Sequence, residues 1–426
     1  MSNANDKLLL GCVADDFTGA SDAASFLVKE GINTILLNGV LKDVDITSDC
    51  SAVVIAMKTR NMEPQSAVSD TRQAFRWLAE RGAKQFYIKY CSTFDSRKDG
   101  NIGPTIDSTL EDYQEQYTVI CPALPVNRRI VKDGKLYVDG VPLDQSHMKS
   151  HPLNPMWDSE IAKLMEPQGK YPCLSINKQQ LMKPKSEILR YVAKFAEKQQ
   201  HFYIVPDYIT EQDAAKIIEV FGSIKLLTGG SGLLSALGRK YRQDGVLPQE
   251  DRITSGTKGR GIVLAGSCSK ATLEQINEFI KHGGAAYKIE PSKFLQGQAT
   301  VEDIWNFVCV NSRHEVLIYS SDTPDVVQEN KKLGQEKISA LFESLIAEIA
   351  KRAVANNITR LVVAGGETAG AVIMGLGLDG FIIGESIAPG VPIMVPLNCK
   401  KLRLVLKSGN FGQQDFFQRA LDMTRG

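Results

Sequence analysis

Residues 8–29 read LLLGCVADDFTGASDAASFLVK, a short apolar run followed by a polar turn and a helical pattern. Residues 8–14 are typical of a buried β-strand, and residues 20–29 are typical of the helix that follows it. The same alternation recurs along almost the whole chain, as in a strand at 52–57 and a helix at 64–81. It predicts α/β architecture with largely parallel sheets. Outside this alternation, the turn dipeptide Asp133-Gly134 between two short β-runs predicts a hairpin.

The length of the chain predicts two domains, because 426 residues exceed what one hydrophobic core usually holds. Residues 246–260 are polar with little periodicity, and we interpret them as a linker. This linker separates an N-terminal domain, residues 1–245, from a C-terminal domain, residues 261–426. Two α/β domains with a cleft between them are a common arrangement for enzymes that bind two substrates.

The composition excludes several classes of partner. Fifty basic and 49 acidic residues leave a net charge of +1, which favours neither a nucleic acid nor an anionic membrane. No apolar run approaches the roughly 18 residues of a membrane span, and the first apolar residues are too few for a signal peptide. The eight cysteines are scattered without a CxxC pair, which indicates reduced thiols, no structural zinc and a cytoplasmic protein.

Two adjacent carboxylates follow the first predicted strand. Asp15 and Asp16 stand at its carboxyl end, where α/β proteins place their ligands. A carboxylate there can accept a proton from a substrate hydroxyl, bind sugar hydroxyls or hold Mg²⁺. The alternative is that both only cap the next helix, and the spacing alone does not decide between these interpretations.

Other polar residues follow the next strands. Arg60 is placed to clamp a carboxylate with two hydrogen bonds, unless it is a surface arginine. Lys89, Ser92 and Thr93 supply donors and acceptors suited to a polyhydroxy acid, or they belong to a capped loop. His151 is a candidate substrate ligand, although a single loop histidine is more often structural. No histidine pattern of a metal site and no GxSxG motif occurs.

Three glycine-bearing turns follow strands of the second predicted domain, at residues 266–269, 365–368 and 407–412. Their amides and hydroxyls are suited to phosphate oxygens at helix N-termini. Neither GxxxxGK[ST] nor a GxGxxG after the first strand is present. One such turn is weak evidence, but three in one domain favour a nucleotide site. The candidate nucleotide ligands are Ser267, Ser269, Gly365, Gly366, Glu367, Thr368, Gly409 and Gly412.

These segments occur together in a known family. The chain resembles the four-carbon acid sugar kinases, and the resemblance covers nearly its whole length. It rests on these segments: ADDFTGASD (14–22), KTRN (58–61), KYCSTFDS (89–96), GNIGP (100–104), CPALPVNRR (121–129), HPLNPM (151–156), AGSCS (265–269), AGGETAGAV (364–372) and LKSGNFG (406–412).

The resemblance implies a sugar-acid-binding N-terminal domain, a nucleotide-binding C-terminal domain, and ATP-dependent phosphorylation of the 4-hydroxyl of a four-carbon sugar acid. It assigns Asp16, Arg60, Lys89, Ser92 and Thr93 to the substrate, and Ser267, residues 365–368 and Gly409 to ATP. We take Asp16 as the proton acceptor, with Asp15 in support as a substrate ligand, and Glu367 or Asp15 as an assisting carboxylate near the phosphates. Mg²⁺ is expected on the ATP phosphates and water, with no metal site of protein ligands.

Position 91 helps to choose among substrates of the family. Cys91 stands where the D-threonate and D-erythronate branches tend to have Asp, and Phe94-Asp95 stands where they tend to have Leu-Arg. This difference favours 3-oxo-tetronate over D-threonate or D-erythronate. A dehydrogenase and a nucleotide-regulated binding protein without turnover remain as alternatives from other classes. The substrate's stereoisomer and the assembly, for which a homodimer is kept as an option, stay open.

Overall fold

The computed structural model describes residues 8–41, 44, 46, 50–151, 153–245, 256–323, 325–326 and 334–426. The chain divides into two compact units, Met1–Glu250 and Asp251–Gly426. Of the predicted linker, only residues 256–260 belong to the described part; residues 246–255 lie outside it. Each unit is built on a largely parallel sheet with helices, so the predicted α/β class is confirmed.

The strands of the N-terminal unit form one sheet and one hairpin. They are β1 (Leu10–Ala14), β2 (Thr34–Asn38), β3 (Ala52–Ala56), β4 (Gln85–Lys89), β5 (Tyr117–Cys121), β6 (Arg129–Lys132), β7 (Lys135–Val138), β8 (Val141–Pro142), β9 (Cys173–Ile176), β10 (Phe202–Pro206) and β11 (Leu226–Gly229). The sheet has the order β2-β3-β1-β4-β11-β5-β10-β9, and its strands pair in parallel. β6, β7 and β8 form a separate antiparallel sheet, which confirms the predicted hairpin.

The helices of this unit are α1 (Phe17–Lys29), α2 (Pro64–Glu80), α3 (Ile102–Tyr113), α4 (Ile161–Met165), α5 (Lys178–Leu181), α6 (Lys185–Ala196), α7 (Glu211–Phe221) and α8 (Gly232–Gln243). The connection from β1 leads to β2 on one side of β1, whereas the connection from β3 crosses over to β4 on the other side. Such a reversal makes the carboxyl ends of β1 and β4 the expected ligand position of the sheet.

Local sequence explains where these helices begin. α1 begins at Phe17, three residues before its predicted start, because the side chain of Asp16 accepts a hydrogen bond from the third helical amide. α2 begins with Pro64 at its first position and is capped by Glu63. The residues expected on the inner face of α2 are buried, including Ala67, Phe75 and Leu78.

The C-terminal unit contains β12 (Arg260–Ala265), β13 (Ala285–Lys288), β14 (Val316–Tyr319), β15 (Ile358–Ala364), β16 (Gly380–Ala388), β17 (Val391–Pro396) and β18 (Arg403–Lys407). Their order is β13-β14-β12-β15-β18-β17-β16. The first five strands are parallel, and β17 runs antiparallel to both of its neighbours. Its helices are α9 (Lys270–Lys281), α10 (Pro291–Leu295), α11 (Val301–Val310), α12 (Gln335–Ala355), α13 (Gly366–Leu376) and α14 (Phe416–Met423).

The core of the C-terminal unit lies between its sheet and helices α9 and α14. Val263, Val362 and Val405 from three adjacent strands pack with Phe416 and Leu421 of α14, all of them fully or almost fully buried. This packing fixes the strand ends from which the candidate nucleotide turns leave. No helix in the described ranges is both long and apolar enough to cross a membrane.

Candidate active site

The carboxyl edge of the N-terminal sheet brings the predicted polar segments to one level. Ala14, the last residue of β1, pairs with Ala56 of β3 and with Lys89 of β4. Lys89 in turn pairs with Gly229, the last residue of β11. The loops after these four strands therefore start side by side, which places residues distant in sequence in one polar cluster.

Asp15 and Arg60 form a bidentate ion pair within this cluster. Arg60 Nε donates to Asp15 Oδ2 over 2.8 Å, and Arg60 Nη2 donates to Asp15 Oδ1 over 2.9 Å. The amides of Thr59 and Arg60 also donate to the carbonyl oxygen of Asp15, over 3.0 and 3.2 Å. The edge of Arg60 expected to clamp a ligand is therefore occupied by a carboxylate of the protein. Its Nη1 has no hydrogen-bond partner among the described residues.

Asp16 is both a helix cap and an open acceptor. Its Oδ1 accepts from the amide of Gly19 over 2.7 Å and lies 2.8 Å from Arg60 Nη2. No partner of Oδ2 occurs in the described part of the chain, and 31% of the side chain is exposed. Burial raises the pKa of Asp16, Arg60 opposes the rise, and Asp15 adds to it. Of the two adjacent carboxylates, Asp16 thus has the oxygen that is free to take a proton.

Lys89 adds a second cation beneath this pair. Its side chain is buried, with 3% exposed, and it forms no hydrogen bond within the described ranges. A Cβ built on Gly19 would lie 2.5 Å from Asp16 Oδ1 and 2.8 Å from Lys89 Nζ. Gly19 is therefore needed for the ammonium group to approach the start of α1.

Asp22 and Ser231 were not recognised in the sequence. Ser231 Oγ donates to Asp22 Oδ2 over 2.5 Å, while Asp22 Oδ1 is buried and has no partner among the described residues. Burial raises the pKa of Asp22, and the charge of Lys89 opposes the rise. The available signals were a carboxylate on the buried face of α1 and the glycine-rich turn at 229–232.

The remaining predicted substrate residues lie on the loops after β4 and β8. The hydroxyl of Thr93 is 3.0 Å from Cys91 Sγ, and Thr93 is buried, whereas Ser92 is half-buried. Phe94 is buried with a φ of 50°, a conformation that non-glycine residues adopt rarely. This turn orients Ser92 and Thr93 at the end of β4.

His151 is held by a hydrogen-bond network rather than exposed alone. Its Nδ1 accepts from the amide of Asn154 over 3.1 Å and lies 3.9 Å from Asp95 Oδ1. Asn154 Nδ2 donates to Asp95 Oδ1 over 2.6 Å and to Asn61 Oδ1 over 2.9 Å. The network links His151 to the neighbour of Arg60, with no direct hydrogen bond between His151 and the carboxylate pair.

Gly100 and Gly103 of the GNIGP segment are in close contact with other parts of the N-terminal unit. A Cβ on Gly103 would lie 2.4 Å from the carbonyl oxygen of Gln168. A Cβ on Gly100 would lie 2.0 Å from Ser96 Oγ. Both glycines therefore serve the packing of the N-terminal unit.

The three glycine turns of the C-terminal unit converge at one edge of its sheet. Ala265 pairs with Ala364, and Ala364 pairs with Lys407, so the turns after β12, β15 and β18 start at one level. A Cβ on Gly409 would lie 2.4 Å from Ser267 Oγ. A Cβ on Gly365 would lie 3.1 Å from the amide nitrogen of Ser267. Glycine is thus required where the turns contact one another.

The turn after β15 has the geometry of an anion site. Gly365 has a φ of 127° and precedes α13, whose first turn contains Gly366, Glu367 and Thr368. A Cβ on Gly366 would meet nothing within 4 Å, so there is open space beside its Cα at the start of α13. Glu367 is exposed, and Thr368 is buried against Gly266, whose Cβ would lie 2.2 Å from Thr368 Oγ1. Free amides at a helix N-terminus bind phosphate oxygens.

Gly412 differs from the other predicted nucleotide ligands. Its φ is 81°, and a Cβ there would lie 2.4 Å from the ring of Phe416. This geometry gives Gly412 a packing role at the start of α14. Ser320 and Ser321 after β14 were not predicted, although the amide of Ser320 donates to Ala265 at the same edge of the sheet.

Lys407, also not predicted as a functional residue, holds the turn after β18. Its ammonium group donates to Thr272 Oγ1 over 2.9 Å, to the carbonyl oxygen of Gly409 over 2.8 Å and to that of Ser408 over 3.3 Å. Ser269 Oγ donates to the same Gly409 oxygen over 2.6 Å. The side chain is 1% exposed, and burial lowers the pKa of Lys407 to about 8. Lys407 thus ties the turn at 408–409 to α9.

The donor set of the described residues fits a magnesium ion carried mainly by a nucleotide. No group of three His, Cys, Asp or Glu side chains in these ranges is arranged to hold a metal ion. Mg²⁺ is commonly bound by phosphates, waters and one or two carboxylates, and Glu367 is an exposed carboxylate at the nucleotide turns.

Comparisons with known proteins agree with this division of the chain. A family model described as a sugar-binding N-terminal domain matches residues 10–237, and one described as a nucleotide-binding C-terminal domain matches residues 262–417. A 3-oxo-tetronate kinase from Brucella melitensis is 39% identical over 416 residues, covering 96% of this chain and 94% of the relative. A 3-oxo-tetronate kinase from Cupriavidus necator is 38% identical over 424 residues, covering 98% of both chains.

A solved structure has the same fold over almost the full length. The crystal structure of Haemophilus influenzae protein HI1011 matches with a TM-score of 0.85 and 36% identity, over 97% of this chain and 100% of that one. Likeness of this extent, in both domains and in sequence, shows common family membership. This protein therefore belongs with these relatives to the family of four-carbon acid sugar kinases.

Proposed function

We propose that this protein is an ATP-dependent kinase that converts 3-oxo-tetronate to 3-oxo-tetronate 4-phosphate. The observation that carries the proposal is the identity of 36–39% over nearly the full chain to eight relatives named 3-oxo-tetronate kinase. The polar cluster around Asp16 and the converging glycine turns support it, because each lies in the unit whose family model has the matching description.

The sugar acid is proposed to bind between the two cations of the N-terminal unit. Arg60 offers Nη1 to the substrate carboxylate, and Lys89 offers an ammonium group without a partner among the described residues. Ser92 and Thr93 supply hydroxyls at the end of β4, and His151 closes this side of the site through its network. Asp15 holds Arg60 in place through the bidentate pair.

Asp16 is the proposed proton acceptor. The 4-hydroxyl oxygen forms the new bond to phosphorus, the bond to the ADP oxygen breaks, and the hydroxyl proton passes to Asp16 Oδ2. The raised pKa of Asp16 makes it a better proton acceptor than an ordinary carboxylate. Since phosphoryl transfer has a loose transition state, the position of the hydroxyl and the nearby charges of Arg60 and Lys89 matter more than strong base catalysis.

The nucleotide is proposed to bind at the converging turns of the C-terminal unit. Ser267 and Thr368 offer hydroxyls, Ser269 holds the carbonyl oxygen of Gly409 beside them, and the amides of residues 366, 367 and 409 offer donors to phosphate oxygens. Glu367 is the proposed protein ligand of Mg²⁺, which neutralises charge on the phosphates when it is bound.

The test is release of ADP with a panel of four-carbon acids: 3-oxo-tetronates, D-threonate and D-erythronate. We expect turnover to be fastest with a 3-oxo-tetronate. A clear preference for D-threonate or D-erythronate would mean that the protein is a kinase of the same family with that acid as its substrate. If the protein were a dehydrogenase, the acid would be converted with a change in the redox state of NAD(P) instead. If it were a binding protein without turnover, the release of ADP would not depend on the acid.

Two variants test the residue assignments. Asp16→Asn should lower kcat by about 10²-fold or more, the usual contribution of a positioned acid or base. Asp379→Asn, an exposed aspartate of the C-terminal unit, is the control. If Asp16→Asn turns over near the wild-type rate, Asp16 is not the base.

Gly366→Val should raise KM for ATP far more than KM for the acid, and the reverse would place the nucleotide elsewhere. A homodimer stays a prediction for light scattering.

A further inference from the structure

A basic pocket lies at the opposite edge of the C-terminal sheet from the glycine turns. It has a volume of about 560 Å³. Arg260 is the first residue of β12, Glu315 precedes β14, and Arg360 is near the start of β15. The glycine turns follow the other ends of β12 and β15. Five residue steps along β12 amount to about 16 Å, so the pocket is separate from the proposed nucleotide site.

The pocket has a large excess of positive charge. Five cationic side chains line it, Lys258, Arg260, Arg313, Arg360 and Arg425, against one carboxylate, Glu315. Gly426 also lines the pocket, and a terminal carboxylate there would leave three positive charges in excess instead of four. Such a concentration of one sign differs from the whole chain, whose net charge is +1. A concave basic site concentrates anions.

One oxygen of Glu315, Oε1, accepts from two of the cations. Arg360, 4% exposed, donates to Gly259 O over 2.8 Å, to Leu421 O over 2.5 Å and to Glu315 Oε1 over 2.5 Å. Arg425 Nη2 donates to the same Glu315 oxygen over 3.0 Å. Arg425 Nη2 also lies 3.7 Å from Asp422 Oδ1, so the nearby carboxylates are paired with Arg360 and Arg425.

The other three cations have no carboxylate within ion-pair distance in the described part of the chain. Arg260 Nη2 donates to the carbonyl oxygens of Val308, Asn311 and His314 at the end of α11. Its Nε is buried and has no partner among the described residues, and burial lowers the pKa of Arg260. Lys258 and Arg313 are exposed at the rim. Fixed, largely buried guanidinium groups with exposed cations beside them suit a ligand that carries more than one negative charge.

We propose that this pocket binds a phosphate dianion, either inorganic phosphate or the phosphate group of a monoester, at a second site distinct from the nucleotide turns. The exposed guanidinium groups of Arg313 and Arg425 can each present a planar edge to two phosphate oxygens, while Arg260 and Arg360 contribute their charge from behind. The strands β12 and β15 join this site to the glycine turns, so its occupancy is in a position to affect nucleotide binding. The proposal does not depend on the identity of the sugar acid.

The test is calorimetric titration of the full chain with inorganic phosphate and, separately, with glycerol 3-phosphate. A non-hydrolysable ATP analogue at saturation blocks the glycine turns in both titrations. We expect saturable binding by the wild type, and binding at least tenfold weaker by the double variant Lys258→Ala/Arg313→Ala, since each lost charged hydrogen bond costs about tenfold. The matched control is Lys281→Ala/Lys351→Ala, which removes two exposed lysines outside the pocket.

The two ligands identify the source of the phosphate group. Tighter binding of inorganic phosphate supports free phosphate as the ligand, and tighter binding of glycerol 3-phosphate supports a monoester. No saturable binding by the wild type overturns the proposal, and so does equal binding by the pocket variant and the control. Because Lys258 and Arg313 are exposed, the thermal unfolding of the variant without phosphate should match the wild type, which separates loss of the site from loss of the fold.

Discussion

Replacement of Lys407 by methionine gives the sharpest physical test of the C-terminal unit. Burial lowers the pKa of Lys407 from 10.5 to about 8 in the folded protein. Below pH 8 the folded and unfolded chains both bind the proton, so the cost of burying the charge is present in full. Between pH 8 and 10.5 the unfolded chain binds more protons than the folded chain, and the free energy of unfolding therefore rises with pH.

The size of this rise follows from the two pKa values. A shift from 10.5 to about 8 corresponds to about 3 kcal/mol. About 2 kcal/mol of this cost should be recovered between pH 7 and pH 9.5. The rest would be recovered only at higher pH, because the unfolded lysine still holds most of its proton at pH 9.5. The hydrogen bonds to Thr272, Ser408 and Gly409 offset part of the cost at neutral pH.

The assay compares denaturant unfolding of the wild type and Lys407→Met at several pH values from 7 to 9.5. Other titrating groups are common to both proteins, so their contributions cancel in the difference. We expect the stability of the wild type relative to the variant to increase by about 2 kcal/mol over this range. A stability difference that stays constant with pH would refute the lowered pKa of Lys407. A difference that decreases with pH would mean that folding raises this pKa instead of lowering it.

Three further substitutions each test the role of one residue: a glycine at the nucleotide turns, a glycine in the packing of the N-terminal unit, and the arginine of the ion pair. Gly409→Ala places a Cβ 2.4 Å from Ser267 Oγ, and it should raise KM for ATP and lower the free energy of unfolding by about 1–3 kcal/mol, measured by kinetics and denaturant unfolding. Gly103→Ala places a Cβ 2.4 Å from the carbonyl of Gln168, and a similar loss of stability is expected with KM for ATP unchanged; a raised KM for ATP would contradict the packing role. Arg60→Lys loses the bidentate pair with the adjacent aspartate, and kcat/KM for the acid should fall at least tenfold; an unchanged value would remove Arg60 from the substrate site.

Much of the fold was predictable because its signals are local. The apolar strands and the amphipathic α2 appear as periodicity, and Asp133-Gly134 marks its hairpin. α3 was missed because Gly103 and Pro104 resemble a loop, although proline is tolerated in the first turn of a helix. The parallel arrangement then implied that residues after adjacent strands meet at one edge.

Side-chain pairing was less predictable than position. The sequence placed Asp15, Asp16 and Arg60 at one edge, but their spacing does not reveal which carboxylate Arg60 binds with both nitrogens. Lys407 was within a quoted motif, yet its role depends on acceptors from α9 and its own turn. The basic pocket could not be predicted from the sequence, because its residues lie far apart in the chain and meet only where the strands begin.

Ala14 pairs with Lys89, and Lys89 pairs with Gly229, at the carboxyl ends of adjacent strands. This pairing affects how substrate specificity can change between related proteins. The backbone of the sheet fixes where the loops start, so a change at a half-buried loop position such as Cys91 leaves the start of the turn that carries Asp16 in place. On the proposed assignments, the loop after β4 contributes to recognition of the acid, whereas the turn after β1 carries the proton acceptor. An engineer who wants a new acid substrate should therefore exchange the loop after β4 and leave the turn after β1 unchanged.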